Sequence, residues 1–169
     1  KPSDDYKRGY LCGVIRGDGH LGTYTYARAA HATVGTAHRF RLALADVEAL
    51  HRTRDYLIDA GVTTTEFLFQ PETATRRAMH GIRTQTQANV AAIRALVRWP
   101  DDPSSEWCRG FLAGVFDAEG SYSRGILRIC NTDDEIITWT QRCLDRFGFR
   151  HVLEDHGRPD RARYLRLVG

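Results

Sequence analysis

A block of eleven residues occurs twice in this chain, so the fold has to be built from two related units. Gly9-Tyr10-Leu11-Cys12-Gly13-Val14-Ile15-Arg16-Gly17-Asp18-Gly19 returns as Gly110-Phe111-Leu112-Ala113-Gly114-Val115-Phe116-Asp117-Ala118-Glu119-Gly120, at an offset of 119 − 18 = 101 positions. A second block follows each copy: Arg41 to Glu48 aligns with Arg128 to Glu135, at an offset of 133 − 46 = 87. Gly61 and Gly148 close the next helix at that same offset of 87. The drop from 101 to 87 places one insertion of about 14 residues between Asp18 and Arg39, in a hairpin of the first copy.

Each copy reads as helix, hairpin, helix, hairpin, and the first adds a closing helix. Tyr6 to Arg16 has helical spacing and is expected to stop at Gly17-Asp18-Gly19. Leu21 to Arg28 and Arg39 to Ala45 alternate as strands. Asp46 can cap a helix whose apolar positions Val47, Leu50, Leu57 and Ile58 are expected to share a face. Glu66 to Phe69 and Arg76 to Thr84 form the second hairpin, and Gln87 to Trp99 the closing helix. These signals divide the chain into a first lobe over 1–99, a linker over 100–105 and a second lobe over 106–169. Ser104 or Ser105 is placed to cap the second copy's opening helix. The second lobe has a tighter hairpin at Ser123-Arg124-Gly125, a helix over Asp134 to Gly148, and strands near Phe149 to Asp155 and Arg161 to Val168. No second closing helix follows, which suggests a segment cut from a longer chain.

The cysteines Cys12, Cys108, Cys130 and Cys143 stand at irregular spacings without a C-x-x-C pair, and so read as reduced core thiols rather than zinc ligands or disulfides. No apolar run has membrane-span length, so the chain is expected to be soluble and cytoplasmic. The net charge is only +3, yet all basic residues except Lys1 and Lys7 are arginines. Many alternate with apolar residues, as in Arg39-Phe40-Arg41-Leu42 and Arg163-Tyr164-Leu165-Arg166. A strand patterned in this way has one buried and one cationic face, which suits a polyanion but also an ordinary solvated sheet.

Gly13 and Gly17 lie four apart, as do Gly114 and Ala118, so each repeated helix shows a strip of small residues that lets two backbones approach. Packing the helices together also brings Asp18 and Glu119 together, each at the negative end of its helix. At ~5 Å and an effective dielectric of ~20 their repulsion is roughly 3 kcal/mol, which a divalent cation would relieve. Two carboxylates beside exposed backbone oxygens, those of Gly17 and Ala118, make a hard oxygen site that suits Mg²⁺ better than zinc.

Leu-Ala-Gly-Val-Phe-Asp-Ala-Glu-Gly, and more loosely Leu-Cys-Gly-Val-Ile-Arg-Gly-Asp-Gly, resemble the LAGLIDADG signature, and two copies in one chain resemble the monomeric homing endonucleases, most of all those resident in inteins. The resemblance implies an α+β fold of two pseudo-symmetric αββαββ(α) lobes, forming a saddle whose antiparallel sheets face DNA. It implies Asp18 and Glu119 as the catalytic and metal-holding pair, cutting both strands across the minor groove with Mg²⁺. Mn²⁺ is expected to substitute, and Ca²⁺ to bind without efficient cleavage. The partner implied is double-stranded DNA with a long asymmetric target, bound by a monomer in a prokaryotic-type cytoplasm at the nucleoid. No Cys start or His-Asn end for protein splicing is encoded.

Relatives of this kind place a lysine or glutamine near the end of the second strand. Asn131 fits that role in part, whereas Leu44 and Ala45 do not. Strand alternation assigns Tyr24, Tyr26, Arg28, Arg39 and Arg41 to the DNA side. The same parity offers Glu66, Leu68 and Gln70, and Arg76 and His80 represent the fourth strand. In the second lobe the DNA-binding choices are Ser121, Ser123, Arg128, Asn131, Tyr164 and Arg166. Trp99, Trp107 and Trp139 are core anchors, and the remaining histidines have no metal spacing. Two other functions compete with cleavage: a LAGLIDADG protein that binds DNA without cutting it, and an RNA maturase. The retention of an acid at both Asp18 and Glu119 favours the nuclease.

Overall fold

The computed structural model describes residues 1–28, 33–154, 157 and 161–168, the side chain of Arg28 excepted. Its elements run α1 (Asp4–Asp18), β1 (Gly19–Arg28), β2 (Thr33–Leu44), α2 (Val47–Asp59), β3 (Thr65–Gln70), β4 (Met79–Thr84) and α3 (Gln87–Leu96). They continue as α4 (Ser105–Glu119), β5 (Gly120–Ser123), β6 (Ile126–Asn131), α5 (Asp134–Arg146), β7 (His151–Glu154) and β8 (Arg163–Leu167). The αββαββ order repeats as the sequence indicates, and α3 is the extra closing helix. No described helix is long and apolar enough to cross a membrane.

Packing divides the chain into two compact units, and this division is not the division of the repeat: one holds Lys1–Asp18 with Trp99–Gly169, the other Gly19–Arg98. The second unit is a four-stranded antiparallel sheet in the order β1-β2-β4-β3, with α2 and α3. Phe40, Leu42 and Leu44 of β2 are buried and alternate with exposed Arg39 and Arg41. The inserted residues lengthen the β1–β2 hairpin, and pairing runs from Gly19↔Leu42 out to Arg28↔Thr33. Asp46 caps α2 by accepting from the amides of Glu48 and Ala49. The buried face of α2 is Ala49, Leu50, Thr53 and Leu57, while Val47 and Ile58, expected on that face, are exposed because the helical turn carries them past its Leu50 edge. Gly61 takes φ +80°, the left-handed backbone that ends a helix.

The first unit packs α1 against α4 and sets α5 with the sheet β5-β6-β8-β7. Ser104 caps α4 by accepting from the amide of Trp107. Phe111, Val115, Ile129, Ile136, Ile137, Cys143 and Leu165 form its core with Cys12, Cys108, Trp107 and Trp139. Trp99 lies beyond the end of α3, not in it, because that helix closes at Leu96 with Val97 as its cap. Its ring stacks on Trp139 at 5.1 Å, and Arg16 lies 3.9 Å above it. The four cysteines are free thiols. Arg124 and Gly125, both with positive φ, turn the short β5–β6 hairpin.

Candidate active site and nucleic-acid interface

The site begins where α1 and α4 touch. A Cβ on Gly9 would fall on the carbonyl of Trp107, and one on Gly110 on the carbonyl of Tyr6. Gly13 meets the carbonyl of Phe111 and the amide of Val115; Gly114 meets the carbonyl of Tyr10 and the amide of Val14. Each contact maps onto its partner under the offset of 101, so the two helices cross about a local twofold. The strip expected at Gly13, Gly17, Gly114 and Ala118 is therefore longer, and Gly9 and Gly110, four residues upstream, belong to it. A Cβ at Gly17 would stand 2.6 Å from that of Ala118 and 3.3 Å from Cγ of Glu119. Gly17 does not stop α1: the helix runs on to Asp18, and α4 likewise ends on Glu119. Both acids are thus the final residue of a helix, fixed by its last turn, not loop residues past it.

Burial, and then the charge of Asp18, push the Glu119 carboxyl up to about 7. Asp18 keeps water on its surface, but partial desolvation raises its pKa as well. Each acid is therefore harder to ionise here than in water, and the pair senses itself electrostatically. Asn131, at the end of β6, donates from Nδ2 to Oε1 of Glu119 at 2.9 Å, and its Oδ1 accepts from the Asp133 amide at 2.7 Å. Leu44, at the matching position of the first copy, is a buried core residue. Asp117, the sixth motif residue of α4, accepts from the Tyr10 hydroxyl at 2.6 Å and so ties the two helices. Among the described residues no three His, Cys, Asp or Glu side chains gather as a metal cage. Gly17 and Ala118, expected to lend main-chain oxygens, are the residues at which the helices meet.

The sheets separate the remaining candidates into rows. In the first sheet Arg41 pairs with Arg83 and Gly22 with Arg39, on the face opposite Leu42 and Ile82. His20, Tyr24, Tyr26 and Arg28 share that outer row by register; the side chain of Arg28 lies outside the described residues. His80 pairs with Leu44 and so stands on the inner row, contrary to its expected direction. Glu66 and Leu68 are also inner, opposite Ile82 and His80, and Glu66 binds His51 and Arg54 of α2 at 3.2 and 3.3 Å. A bulge between Leu68 and Gln70 places Gln70 opposite Met79, back on the outer row. Arg76 is not on the sheet, because β4 starts only at Met79; its amide closes the preceding turn on Thr73.

Arg83 is an outer-row arginine that sequence reasoning missed. Its signal was the alternation His80-Gly81-Ile82-Arg83-Thr84 about the buried Ile82.

In the second sheet Ser121, Arg128 and Arg166 form one line of cross-strand partners, with Ser123, Cys130, Tyr164 and Glu154 on the same face. Of the six residues assigned to DNA from the sequence, Ser121, Ser123, Arg128, Tyr164 and Arg166 lie on this face, and Asn131 does not, because it is one position out of phase with Arg128 and Cys130. Arg128 donates to the Ser123 hydroxyl at 3.5 Å, and Arg166 is bound to Glu154 at 2.9 Å. Tyr164 lies opposite Cys130, whose hydrogen bond raises the phenol pKa. Asn131 lies on the inner row, with Arg163 and Leu165, which is why it reaches Glu119.

A family model described as the LAGLIDADG-like domain matches residues 106–168. The homing endonuclease I-DmoI, in its mesophilic variants, is similar in structure with a TM-score of 0.72 at 17% identity, over 98% of this chain and 89% of that one. I-DmoI in complex with DNA and Mn gives 0.70 at 16% identity, over 98% and 91%. The N-terminal LAGLIDADG domain of DUF199/WhiA gives 0.68 at 14% identity, over 99% and 76%. A search of curated proteins finds no significant match. At such identities the likeness establishes fold, and the fold is the LAGLIDADG fold: mixed α and β, with two antiparallel sheets and a LAGLIDADG-like domain over residues 106–168.

Proposed function

We propose that this chain is a site-specific endonuclease for double-stranded DNA, hydrolysing phosphodiesters with a divalent cation held by Asp18 and Glu119. The observation that carries the reading is the acid pair itself. A helix contact made only for packing gains nothing from two carboxylates at its negative end, each pushed up in pKa. The donors are all oxygens, which fits a hard cation such as Mg²⁺ or Mn²⁺. With two side-chain ligands, such an ion would complete its shell from the carbonyls of Gly17 and Ala118, water and a strand's phosphate. When bound it would supply Lewis acidity at the phosphate and a more acidic water. The chain's own contribution is to hold the two acids on one rigid helix pair and to orient Glu119 through Asn131.

I-DmoI has been captured in complex with DNA and Mn and with DNA and Ca, which supports divalent-ion use by this chain. We further place the chain on a long asymmetric target as a monomer, held by the outer rows of its sheets, in the cytoplasm at the nucleoid, with an intein as the kind of host its motif context suggests. The WhiA domain shares the fold with I-DmoI, so fold alone does not choose between cutting and binding. The second reading is a LAGLIDADG protein that binds DNA without cleaving it.

The test is a plasmid carrying a target selected from a randomised library, scored for supercoiled, nicked and linear forms. With Mg²⁺, Asp18→Asn and Glu119→Gln should each cut roughly a thousandfold more slowly, the several kcal/mol that a bound cation contributes. Binding in Ca²⁺ should persist. Undiminished double-strand cutting by both variants would leave the acids a structural role only, and binding without cutting by the unaltered chain would establish the second reading.

A further inference from the structure

We infer that the two outer rows read DNA unequally: the first sheet selects guanines through Arg39, Arg41 and Arg83, whereas in the second a carboxylate occupies the matching arginine. The inference rests on the DNA reading above and names how that same surface chooses its target. Both sheets carry the same cross-strand pair, Arg41↔Arg83 in the first and Arg128↔Arg166 in the second. Arg41 and Arg128 are related by the repeat offset of 87. Like charges placed directly opposite destabilise a sheet, so each pair needs a counter-charge or a polyanion.

The third residue differs. Phe67 pairs with Gly81, two positions before Arg83; Glu154 pairs with Tyr164, two positions before Arg166. Phe67 and Glu154 therefore stand at matching sites. The guanidinium of Arg166 donates from Nε to Glu154 at 2.9 Å, while that of Arg83 lies 4.8 Å over the Phe67 ring. Arg41 sits 5.1 Å over Phe69 and Arg39 5.5 Å over Tyr24. Among the described residues none of these three has an acidic partner. Gly81 makes room for the arrangement, since a Cβ there would lie 2.8 Å from the Phe67 ring.

Stacking on a ring restrains a guanidinium through its face and leaves the N–H edge free. That edge matches the O6 and N7 acceptors of guanine in the major groove. A carboxylate takes the same edge for itself and cancels the charge. The first sheet thus presents three restrained, unspent forks, and the second presents Arg166 already engaged.

The experiment selects duplexes bound in Ca²⁺ from a randomised library, using the whole chain and the variants Arg83→Lys, Phe67→Glu and Glu154→Gln. The unaltered chain should fix guanines in one half of its target. Arg83→Lys keeps the charge but loses the fork, and should lower the preference at one of those guanines by roughly tenfold or more. Phe67→Glu should do the same, and Glu154→Gln should raise guanine preference in the other half. Arg83 is exposed, so its replacement tests the inference even if Phe67→Glu fails to fold. Equal guanine selection in both halves, or a preference indifferent to Arg83→Lys, overturns the inference alone. Retention of no duplex by the unaltered chain sinks the DNA reading and this inference with it.

Discussion

Where the second copy of the repeat hands an amide from Asn131 to Glu119 at 2.9 Å, the first copy has Leu44, buried at 3% exposure in an apolar sheet core. Where the second copy closes its hairpin in a tight turn at Arg124 and Gly125, the first extends β1 and β2 through ten paired positions. Apart from Ala118 at the position that matches Gly17, the helix contact is the same from both sides, Gly9 with Gly110 and Gly13 with Gly114. Backbone against backbone admits no variation, because any Cβ there collides. Side chains that only adjust an acid or present an edge to solvent are free to differ. Two copies of one plan can therefore keep their joint and diverge in their chemistry.

The largest expected effect tests the joint. Gly13→Val and Gly114→Val each drive a side chain into the opposite helix backbone, and should cost at least about 3 kcal/mol in denaturant unfolding, the upper end of overpacking. The comparison predicts similar losses from the two. A loss confined to one of them would mean that the crossing is less symmetric than its contacts. A smaller effect separates the copies: Asn131→Leu makes the second resemble the first. It removes the donor to Glu119 and the acceptor for the Asp133 amide, so unfolding should become easier by roughly 1–2 kcal/mol. Under the nuclease reading cutting should also slow, with DNA affinity held. An Asn131→Leu protein that matches the original in stability and in rate would show that the polar residue at this position is incidental.

The mildest prediction concerns pH. Glu119 has a folded pKa of about 7, raised from the ordinary 4.5, so between those values the folded chain binds more protons than the unfolded one. Stability should then be greatest below about pH 4.5 as far as this group is concerned, fall as pH rises towards 7, and level off above. Raised in the same direction, Asp18 adds to that fall. Glu119→Gln should flatten the profile, and a divalent cation at pH 8 should raise the melting temperature of the unaltered chain more than that of the variant. Melting temperatures measured from pH 5 to 8, with and without the ion, decide it.

Much of this was legible in the sequence. The repeat gave the element order, and Asp46 and Ser104 announced their caps through residue type and position. The alternation of Phe40, Leu42 and Leu44 assigned the faces of β2, as did the residues chosen on β5, β6 and β8, Asn131 excepted. What failed did so for local reasons. Gly17 looks like a helix stop by propensity, but its lack of a side chain serves the contact with Ala118, and packing overrides propensity. The faces of β3 and β4 were misassigned because a bulge at Leu68 and Gln70 breaks the count, and because Gly81 and Ile82 are buried side by side and blur the alternation. Arg76 was placed on a strand because the turn is longer than its proline suggests. The repulsion between the acids was readable from the repeat, but the desolvation that raises both was not, since it depends on burial in the folded chain.

The separation in sequence of α1 from α4 has a consequence for how the molecule is made. One compact unit is composed of the first eighteen residues and the last seventy-one, with the other unit inserted between them. On the ribosome α1 emerges first, and its buried face from Gly9 to Ile15 finds no partner until α4 has left the exit tunnel. At roughly 5–20 residues per second that wait is several seconds, long compared with the formation of any helix or hairpin. The inserted sheet can fold during the interval, but the helix pair cannot. The acids are brought together only after α4 has been made, so a nascent chain stalled before Glu119 would hold a folded sheet and no assembled acid pair.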